Sequence, residues 1–362
     1  MNLLENIPLA PLTTLKIGGP ARYFVEAASV GDVQQTVAFA RSRALPLFVL
    51  GGGSNLVVAD AGWPGLVMKI AILGIEQRSG PDEEGKILFE AGAGESWDKF
   101  VSRAVMARCA GVECLSGIPG SVGGTPVQNV GAYGQQVSDT IESVRALDRK
   151  QDRVVVLPNP ACGFRYRSSI FNRSDDNPAG EQGGQGRYII LRVNYRLKRG
   201  GAPNLKYSDL QKHFAETETK TPPSLAAVRE AVRQIRRGKG MLIVPGDEDS
   251  RSAGSFFKNP VLSEAQFEEL AARARSKGLE IPCYPALEAQ RKVSAAWLVE
   301  HSGFGKGFRL GRAGISSKHA LALVNEGDAS ASDIIQLKDA IQQGVQREWE
   351  ISLAPEPVFV GF

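Results

Sequence analysis

Apolar and polar positions near the start of the chain predict a strand, a helix and a second strand in that order. Residues 22–26 and 47–50 are short apolar runs typical of strands. Between them, Ser29 is a typical N-cap residue for a helix whose apolar positions are Val33, Val37, Ala38 and Ala40. Because strand–helix–strand units usually join parallel strands, we expect these two strands to run parallel.

The rest of the chain predicts a mixed α+β protein in three blocks. Strands are expected at 87–90, 143–147, 154–157, 188–195 and 319–324, and helices at about 97–108, 225–237, 263–277, 293–301 and 332–345. The glycine-rich tract at 172–186 predicts an exposed loop, and the Thr-Pro-Pro-Ser sequence at 221–224 marks a boundary before a helix. The predicted blocks are 1–68, 69–221 and 222–350, with 351–362 forming a final strand.

Composition narrows the class of protein. The chain has 362 residues, 43% of them apolar, and no run approaches the ~20 apolar residues of a membrane span. The N-terminus has no basic run followed by an apolar segment, so we expect a cytoplasmic protein without membrane insertion. The four cysteines form no CxxC pair and the three histidines are far apart in sequence, so neither a metal site nor a disulfide framework is expected.

Charge gives little indication of a macromolecular partner. The net charge is +4, and the basic residues are scattered except for a cluster at 229–239 on a helical pattern. For this cluster a solvated helix face is favoured over a nucleic-acid surface. We therefore expect no nucleic acid and no obligate protein partner.

Two glycine-rich segments are candidate anion-binding sites. They are Gly-Gly-Gly-Ser-Asn at 51–55 and Gly-Ile-Pro-Gly-Ser-Val-Gly-Gly at 117–124, and neither has the residues of a Walker A loop or a Rossmann fingerprint. Consecutive backbone N–H groups without side chains in the way can form a nest for a diphosphate. Tight turns without a ligand are the alternative explanation.

Three polar residues stand in settings that suit catalysis. Ser255 lies between a glycine and two phenylalanines, which can hold its hydroxyl while the glycine lets a ligand or a flavin ring approach. Arg167 lies among arginines and aromatics and could present its guanidinium to a carboxylate, and Glu356 is held stiffly between two prolines. The alternatives are a loop entering a strand, an ordinary surface arginine and a chain terminus pinned to a sheet.

Together these segments resemble the UDP-N-acetylenolpyruvoylglucosamine reductase (MurB) family, and the resemblance extends from Thr14 to Glu356. Besides Gly-Gly-Gly-Ser-Asn, the motifs that carry it are Thr-Leu-Lys-Ile-Gly-Gly-Pro-Ala at 14–21, Ile-Pro-Gly-Ser-Val-Gly-Gly at 118–124, Gln-Asn-Val-Gly-Ala-Tyr-Gly at 128–134, Tyr-Arg-Ser-Ser-Ile-Phe at 166–171 and Ala-Gly-Ser-Phe-Phe-Lys-Asn-Pro at 253–260.

The resemblance implies a vanillyl-alcohol-oxidase-type (PCMH-like) fold that binds FAD non-covalently. Blocks 1–68 and 69–221 would be its two FAD-binding lobes, block 222–350 an α+β substrate domain, and 351–362 a strand returning to the active site. The residues implied in FAD binding are Gly51, Gly52, Gly53, Ser54, Asn55, Ile118, Pro119, Gly120, Ser121, Gly124, Thr125, Asn129, Gly131, Ala132 and Tyr133.

The resemblance also implies a reaction. NADPH would reduce FAD, and flavin N5 would pass a hydride to C3 of UDP-N-acetylglucosamine-enolpyruvate, giving UDP-N-acetylmuramate for peptidoglycan. Ser255 would donate a proton to C2, while Arg167 and a protonated Glu356 would stabilise charge on the substrate carboxylate. The preference for NADPH over NADH is implied by the resemblance alone.

Substrate contacts are implied at five further positions. Tyr207 resembles a tyrosine that folds over the nucleotide in one subclass, and the other positions are Asn259, Lys292, Lys306 and His319. At the position of His319 the family also uses glutamine. One departure from the family pattern is that 241–251 lacks an obvious equivalent of a lysine that some members place before Ala-Gly-Ser, which leaves Lys239 and Arg251 as candidates.

Two other functions compete with this one. An oxidase of the same FAD fold acting on an alcohol or sugar would not need Ser255, Arg167 and Glu356 together. A non-catalytic flavin-binding protein could keep the glycine-rich loops and lose any of these three residues, and the presence of all three argues against it.

Overall fold

The computed structural model describes residues 1–78, 82, 85–173, 186–215, 221–285 and 290–362. Its α-helices are α1 (Val30–Ser42), α2 (Trp97–Met106), α3 (Ser208–Ala215), α4 (Leu225–Gly238), α5 (Glu264–Ser276), α6 (Ala295–Glu300) and α7 (Ala331–Trp349). Its β-strands are β1 (Leu4–Pro8), β2 (Pro20–Ala27), β3 (Leu47–Leu50), β4 (Leu56–Val58), β5 (Trp63–Ile70), β6 (Ile75–Gln77), β7 (Lys86–Gly92), β8 (Cys109–Ala110), β9 (Gly131–Ala132), β10 (Gln135–Gln136), β11 (Ile141–Asp148), β12 (Arg153–Pro158), β13 (Tyr188–Arg199), β14 (Ser252–Ser255), β15 (Val261–Ser263), β16 (Cys283–Pro285), β17 (Gln290–Val293), β18 (Arg309–Leu310), β19 (Ala313–Ile315), β20 (Ala322–Asn325) and β21 (Val358–Val360).

The first part of the chain forms a sheet in the order β1-β2-β5-β3. Strands β2 and β3 both pair in parallel with β5, so the expected parallel arrangement is confirmed, with β5 lying between them. Helix α1 begins at the predicted cap, where the Ser29 hydroxyl accepts the Asp32 N–H at 3.0 Å. Its buried positions are Val33, Thr36, Val37 and Ala40. Ala38 is exposed, contrary to the prediction, because position 36 rather than 38 continues the helical stripe.

A larger antiparallel sheet follows, in the order β12-β11-β13-β7-β6, with β8 beside β13. The four strands expected in this region are confirmed. Helix α2 ends at Met106, two residues before its predicted end, because Arg108 has the positive φ of 56° that ends a helix. The ring centroid of Phe100 on this helix lies 4.5 Å from that of Tyr195 on β13. Of the predicted loop at 172–186, residues 174–185 lie outside the described part.

The C-terminal part combines two small sheets with three helices. The sheet orders are β14-β20-β19-β18 and β15-β17-β16. Helices α5, α6 and α7 confirm the three expected helices, although α6 is shorter than predicted and α7 continues to Trp349. The predicted strand at 319–324 begins only at Ala322, because the Ala322 N–H closes a turn onto the His319 carbonyl at 3.1 Å.

The two ends of the chain cross between these parts. Leu15 and Ile17, from the N-terminal segment, are buried in the apolar core of the C-terminal part. The amide of the buried Asn325 donates to the Leu15 carbonyl at 3.2 Å. In return, strand β21 pairs in parallel with β4 of the first part. The N-terminal and C-terminal parts therefore hold each other by exchanged segments.

Helix α4 packs against the second block, although the predicted boundary assigns it to the third. Its buried residues Val228, Ala231 and Val232 share a small apolar cluster with Cys114 and Tyr133. On the same helix two arginines form ion pairs with Asp98 of α2. The expectation that the basic cluster is a solvated helix face is therefore wrong for these arginines. The block boundaries themselves stay a prediction.

The described ranges contain neither a membrane-spanning helix nor a metal-binding group. No helix there is long and apolar enough to cross a membrane. Likewise, that part of the chain contains no group of three or more His, Cys, Asp or Glu side chains placed to hold a metal ion.

Candidate active site

The two glycine-rich loops pack against each other backbone to backbone. A Cβ atom on Gly52 would lie 2.4 Å from the Cα of Gly120, so a side chain is excluded there. Gly53 has a φ of 64° and lies against the Leu12 carbonyl, where a Cβ would approach to 2.0 Å. The loops at 51–55 and 118–125, which contain ten of the candidate FAD residues together with Asn55, thus lie against each other.

A hydroxyl at the junction of these loops lacks a partner. The Ser121 Oγ atom is buried and makes no hydrogen bond to the described residues. A Cβ built on Gly51 would lie 2.9 Å from this oxygen, so the hydroxyl belongs to the cleft between the loops. Buried polar atoms are normally hydrogen-bonded. An unpaired donor beside bare glycine backbone fits the diphosphate of FAD.

Arg167 is held in a strained turn. The Arg165 N–H donates to the Ser168 carbonyl at 2.8 Å, and the Ser168 N–H donates back to the Arg165 carbonyl at 3.2 Å. Inside this turn Arg167 has a φ of 53°, which is uncommon for a residue with a side chain. Its Nη1 donates to the Gly131 carbonyl at 3.1 Å.

Asn129 supports this turn through a hydrogen bond to its backbone. The residue is buried, and its Nδ2 donates to the Arg165 carbonyl at 3.2 Å while its Oδ1 accepts the Ser138 N–H at 3.1 Å. Both ends of the amide are therefore used inside the protein. Asn129 and Gly131, predicted to bind FAD, have visible contacts that orient the arginine turn, and their role at the cofactor stays a prediction.

The main chain of Glu356 is fixed by three of the predicted motifs. Asn55 Nδ2 and Gln128 Nε2 donate to the Glu356 carbonyl at 3.1 and 3.3 Å. The Glu356 N–H donates to the Phe256 carbonyl at 2.8 Å, next to Ser255. The Gly-Gly-Gly-Ser-Asn motif, the motif at 128–134 and the serine motif thus converge on this one residue.

The side chains of Arg167 and Glu356 form an ion pair. Arg167 Nε lies 2.9 Å from Glu356 Oε1, yet it makes no aligned hydrogen bond to any described residue. Burial raises the pKa of the Glu356 carboxyl, although Arg167 and Lys258 oppose that shift. The pair therefore combines a buried carboxyl that holds its proton more readily than usual with a guanidinium that lies against it.

Ser255 ends strand β14, opposite Ala322 of β20. Gly254 before it has a φ of 77° and open space where a side chain would be, whereas Phe256 and Phe257 after it are buried. A bridge between Phe257 and Pro355 continues the backbone pairing that joins this segment to Glu356. Ser255 and Glu356 thus lie on neighbouring extended segments, and Glu356 contacts Arg167.

A second cluster of basic and aromatic groups lies around His319. Lys239, Lys306 and Arg236 are close enough to His319 to disfavour its protonation, and together with burial they lower the pKa of His319 to about 4. Burial is the largest cause. The neutral ring accepts the Leu321 N–H at Nδ1, 3.0 Å away, which leaves the proton on Nε2.

Tyr207 and Tyr133 close one side of this basic cluster. Their ring centroids lie 5.2 Å apart, edge to face, and Tyr133 lies near the Arg236 guanidinium. Tyr133 and Gly134 both have positive φ and form the tip of the β9–β10 hairpin. Ala132 and Tyr133, predicted to bind FAD, therefore lie on the hairpin whose tip faces Tyr207.

The other predicted substrate residues make local contacts of their own. Lys292 Nζ lies 5.1 Å from the centre of the Tyr166 ring. Asn259 Oδ1 accepts the Ala295 N–H at 2.9 Å, at the start of α6, so its side-chain oxygen is already engaged. Lys306, which also belongs to the cluster around His319, has its Nζ 4.0 Å from Glu300 Oε1.

Sequence reasoning missed three groups at the site. Gln128 and Tyr166 lie inside the motifs quoted above, but only their neighbours were singled out. Arg236 was placed in the basic helix and assigned to solvent. The signal that points to it is its spacing from Arg229 and Arg233, which puts all three on one helix face.

Acid stability tests the buried position of His319. An ordinary histidine titrates near pH 6.5, so the unfolded chain takes up this proton before the folded one, and the stability present above pH 6.5 is lost as the pH falls towards 4. We expect His319→Gln to lose less stability than wild type over that range, by about 1–3 kcal/mol. Urea unfolding at several pH values measures this. Equal losses in both proteins would contradict a neutral buried His319.

Known proteins resemble this chain along its whole length. Residues 246–360 match the family model "UDP-N-acetylenolpyruvoylglucosamine reductase, C-terminal domain", and residues 21–157 match "FAD binding domain". The UDP-N-acetylenolpyruvoylglucosamine reductase of Thermobifida fusca is 43% identical over 99% of this chain and 98% of its own. That of Streptomyces avermitilis is 44% identical over 99% and 95%. The crystal structure of the Thermus caldophilus reductase covers 99% of this chain and 98% of its own, with a TM-score of 0.63 and 26% identity.

Proposed function

We propose, because the chain belongs to the UDP-N-acetylenolpyruvoylglucosamine reductase family, that Arg167, Ser255 and Glu356 are the residues with which it carries out that family's reaction. The protein is an FAD-dependent oxidoreductase that uses NADPH to reduce UDP-N-acetylglucosamine-enolpyruvate for peptidoglycan synthesis. The observation that carries the assignment of residues is the convergence of three motifs on Glu356, whose carboxylate meets Arg167.

FAD would lie against the glycine-rich loops at 51–55 and 118–125. Their bare backbone and the unpaired Ser121 hydroxyl suit the two negative phosphates. FAD bound there would accept a hydride from NADPH and pass it to the substrate. We propose that FAD is held there without a covalent bond to the chain.

Arg167 and Glu356 would act on the substrate carboxylate. Adding a hydride to C3 of an enol ether places negative charge on the conjugated carboxylate. The Arg167 guanidinium and the protonated Glu356 carboxyl beside it would stabilise that charge through charge-assisted hydrogen bonds. A protonated Glu356 would also avoid repulsion between two carboxylates in a buried site.

Ser255 would deliver a proton to C2 of the substrate. Its position beside an open glycine leaves room for the substrate, and the buried phenylalanines after it restrict its motion. General acid catalysis of this kind contributes about 10²–10⁴ to a rate. Because the proton then rests on carbon, Ser255 must be reprotonated from solvent before the next turnover.

The basic cluster would hold the substrate diphosphate. Lys239 lies near His319 and Lys306, and it pairs with Asp209 close to Tyr207, which supports Lys239 over Arg251 as the basic residue that the sequence left open. Lys292 and Asn259 would bound the same space from the β15–β17 side. The two charged substrates, a nucleotide sugar and NADPH, are cytoplasmic metabolites, so we propose that the enzyme works in the cytoplasm.

An anaerobic stopped-flow experiment tests the whole proposal. NADPH is added first to the purified protein with FAD, and UDP-N-acetylglucosamine-enolpyruvate second, while the flavin absorbance is followed. Bleaching and then substrate-dependent recovery is the expected result. Bleaching without recovery would favour a flavin reductase with another acceptor, and a protein that binds no FAD would overturn the assignment of the loops.

Truncating Tyr207 should weaken the nucleotide complex. The ring packs edge to face on Tyr133, and such contacts contribute about 0.5–1.5 kcal/mol beyond the area they bury. We expect Tyr207→Ala to raise KM for the nucleotide sugar by roughly tenfold or more, since the stacking surface over the cluster is lost. Tyr207→Phe, which keeps the ring, is the control and should change KM less. Equal effects of both changes would assign the role to the hydroxyl instead.

A further inference from the structure

Asp98 contacts three groups that belong to two segments, the second glycine-rich loop and helix α4. Its Oδ1 accepts the Gly117 N–H at 2.6 Å and Arg229 Nη1 at 2.7 Å. Its Oδ2 accepts Arg229 Nη2 at 2.8 Å and Arg233 Nη1 at 2.9 Å. One carboxylate on α2 therefore fixes both a backbone N–H and two arginines of α4.

The first of these contacts lies at the start of the second glycine-rich loop. Gly117 has a φ of 70° and immediately precedes the loop at 118–125. Farther along, the Gly120 carbonyl accepts the Trp97 N–H at 3.1 Å, so the loop is held at two points by the beginning of α2. Moving Gly117 would change the direction in which the loop presents its N–H groups.

The contacts with Arg229 and Arg233 fix helix α4, which carries Arg236 and is followed by Lys239 of the basic cluster. Arg229, Arg233 and Arg236 are spaced to lie on one face of α4, and Lys239 follows its end. The distance along the axis from Arg229 to Lys239 is about 15 Å. A helix over this length is rigid, so a fixed Arg229 also sets where Arg236 and Lys239 lie.

The pairing is stronger than an exposed ion pair. Partial burial on its own would raise the pKa of Asp98, but Arg229, the Gly117 N–H and Arg233 hold it below its ordinary value. The Arg229 contact is bidentate, which restricts its geometry as well as adding energy. The carboxylate is therefore ionised, and its hydrogen bonds fix the direction of each partner.

We propose that Asp98 is a positioning residue. It would fix the loop at 118–125, which is proposed to hold the FAD diphosphate, relative to the end of α4, where Arg236 and Lys239 are proposed to hold the substrate diphosphate. This inference rests on the proposed function of those two sites. Hydride transfer requires FAD and the nucleotide sugar to lie at a fixed distance from each other. Because Asp98 contacts both the loop and the helix, it would keep that distance constant.

Substitutions at Asp98 distinguish its contact with the Gly117 N–H from its contacts with the arginines of α4. Asp98→Ala removes every contact, so we expect the Kd of FAD and the KM of the nucleotide sugar each to rise by roughly tenfold or more. Asp98→Asn keeps an oxygen for Gly117 but turns an amide NH₂ towards the arginines. It should leave the FAD Kd within about threefold of wild type while raising KM. Arg229→Lys, which cannot pair in a bidentate way, should behave like Asp98→Asn.

Asp148 provides a matched control. It also pairs with an arginine, Arg187, through both oxygens and accepts a backbone N–H, that of Lys150 at 3.0 Å. None of these partners belongs to either ligand site. Asp148→Ala should therefore lower the melting temperature without moving the FAD Kd or KM by more than about threefold.

The measurements are FAD titration of the apoprotein, KM at saturating FAD, and melting temperature, all on the full chain. If Asp98→Ala only lowers the melting temperature, as Asp148→Ala is expected to do, the proposal is overturned. Should Asp98→Ala fail to fold, Asp98→Asn and Arg229→Lys decide, and unchanged KM in both would overturn it. A wild-type protein that binds FAD but never turns over the nucleotide sugar would instead contradict the proposed function, while the FAD titrations still test the loop connection.

Discussion

Replacing Ser255 by alanine should leave the reduction of FAD by NADPH almost unchanged and slow the reduction of the nucleotide sugar by about 10²–10⁴. The first half-reaction moves a hydride between two cofactors and needs no proton on carbon. The second needs a proton at C2, and Ser255 is the proposed donor. Because the hydroxyl is small and lies beside open space, its removal should disturb the fold little.

Single-turnover kinetics can separate the two half-reactions. Bleaching of the flavin by NADPH gives the first rate, and its recovery after addition of the nucleotide sugar gives the second. Ser276→Ala, at the exposed end of α5, is a control that removes a hydroxyl elsewhere. If both half-reactions of Ser255→Ala slowed equally, Ser255 would be a residue that orders the site and not a proton donor.

Changes at the Arg167–Glu356 pair should also slow the reduction of the nucleotide sugar, because they weaken the stabilisation of charge on the substrate carboxylate. Arg167→Lys keeps the charge but cannot present a planar fork of N–H donors, so we expect a loss of about 10²–10³ in the rate of substrate reduction. That loss corresponds to about 2.7–4 kcal/mol of transition-state stabilisation. Flavin reduction by NADPH should be affected much less.

The pH dependence of this half-reaction tests the protonation of Glu356. Burial raises the pKa of its carboxyl, so the protonated fraction falls as the pH rises through that pKa. If the protonated form acts, the rate of substrate reduction should fall on the alkaline side. Glu356→Gln cannot ionise and should lose that alkaline decrease.

An unchanged pH profile in Glu356→Gln would show that the carboxyl does not act through its proton. Glu350→Gln is a suitable control because Glu350 pairs with Arg273 on the exposed surface. Combining Arg167→Lys with Glu356→Gln gives a double-mutant cycle. Because the two side chains are in contact, their effects should not add.

Much of this protein could be predicted from local sequence. The cap at Ser29, the helices α5 and α7 and the strands of the larger sheet follow from patterns that extend over a few residues. The glycine-rich loops were recognised because consecutive N–H groups without side chains can form an anion nest. The motifs also identified the family and, with it, the cofactor and the reaction.

What only the tertiary structure decided is which distant segments meet. Nothing near Glu356 in sequence indicates that Asn55, Gln128 and Phe256 hold its main chain. The arginines of α4 looked like a solvated face because helical spacing shows which residues share a face but not what that face contacts. Such contacts depend on strand register and on burial of polar groups that must find partners, and both are properties of the folded chain as a whole.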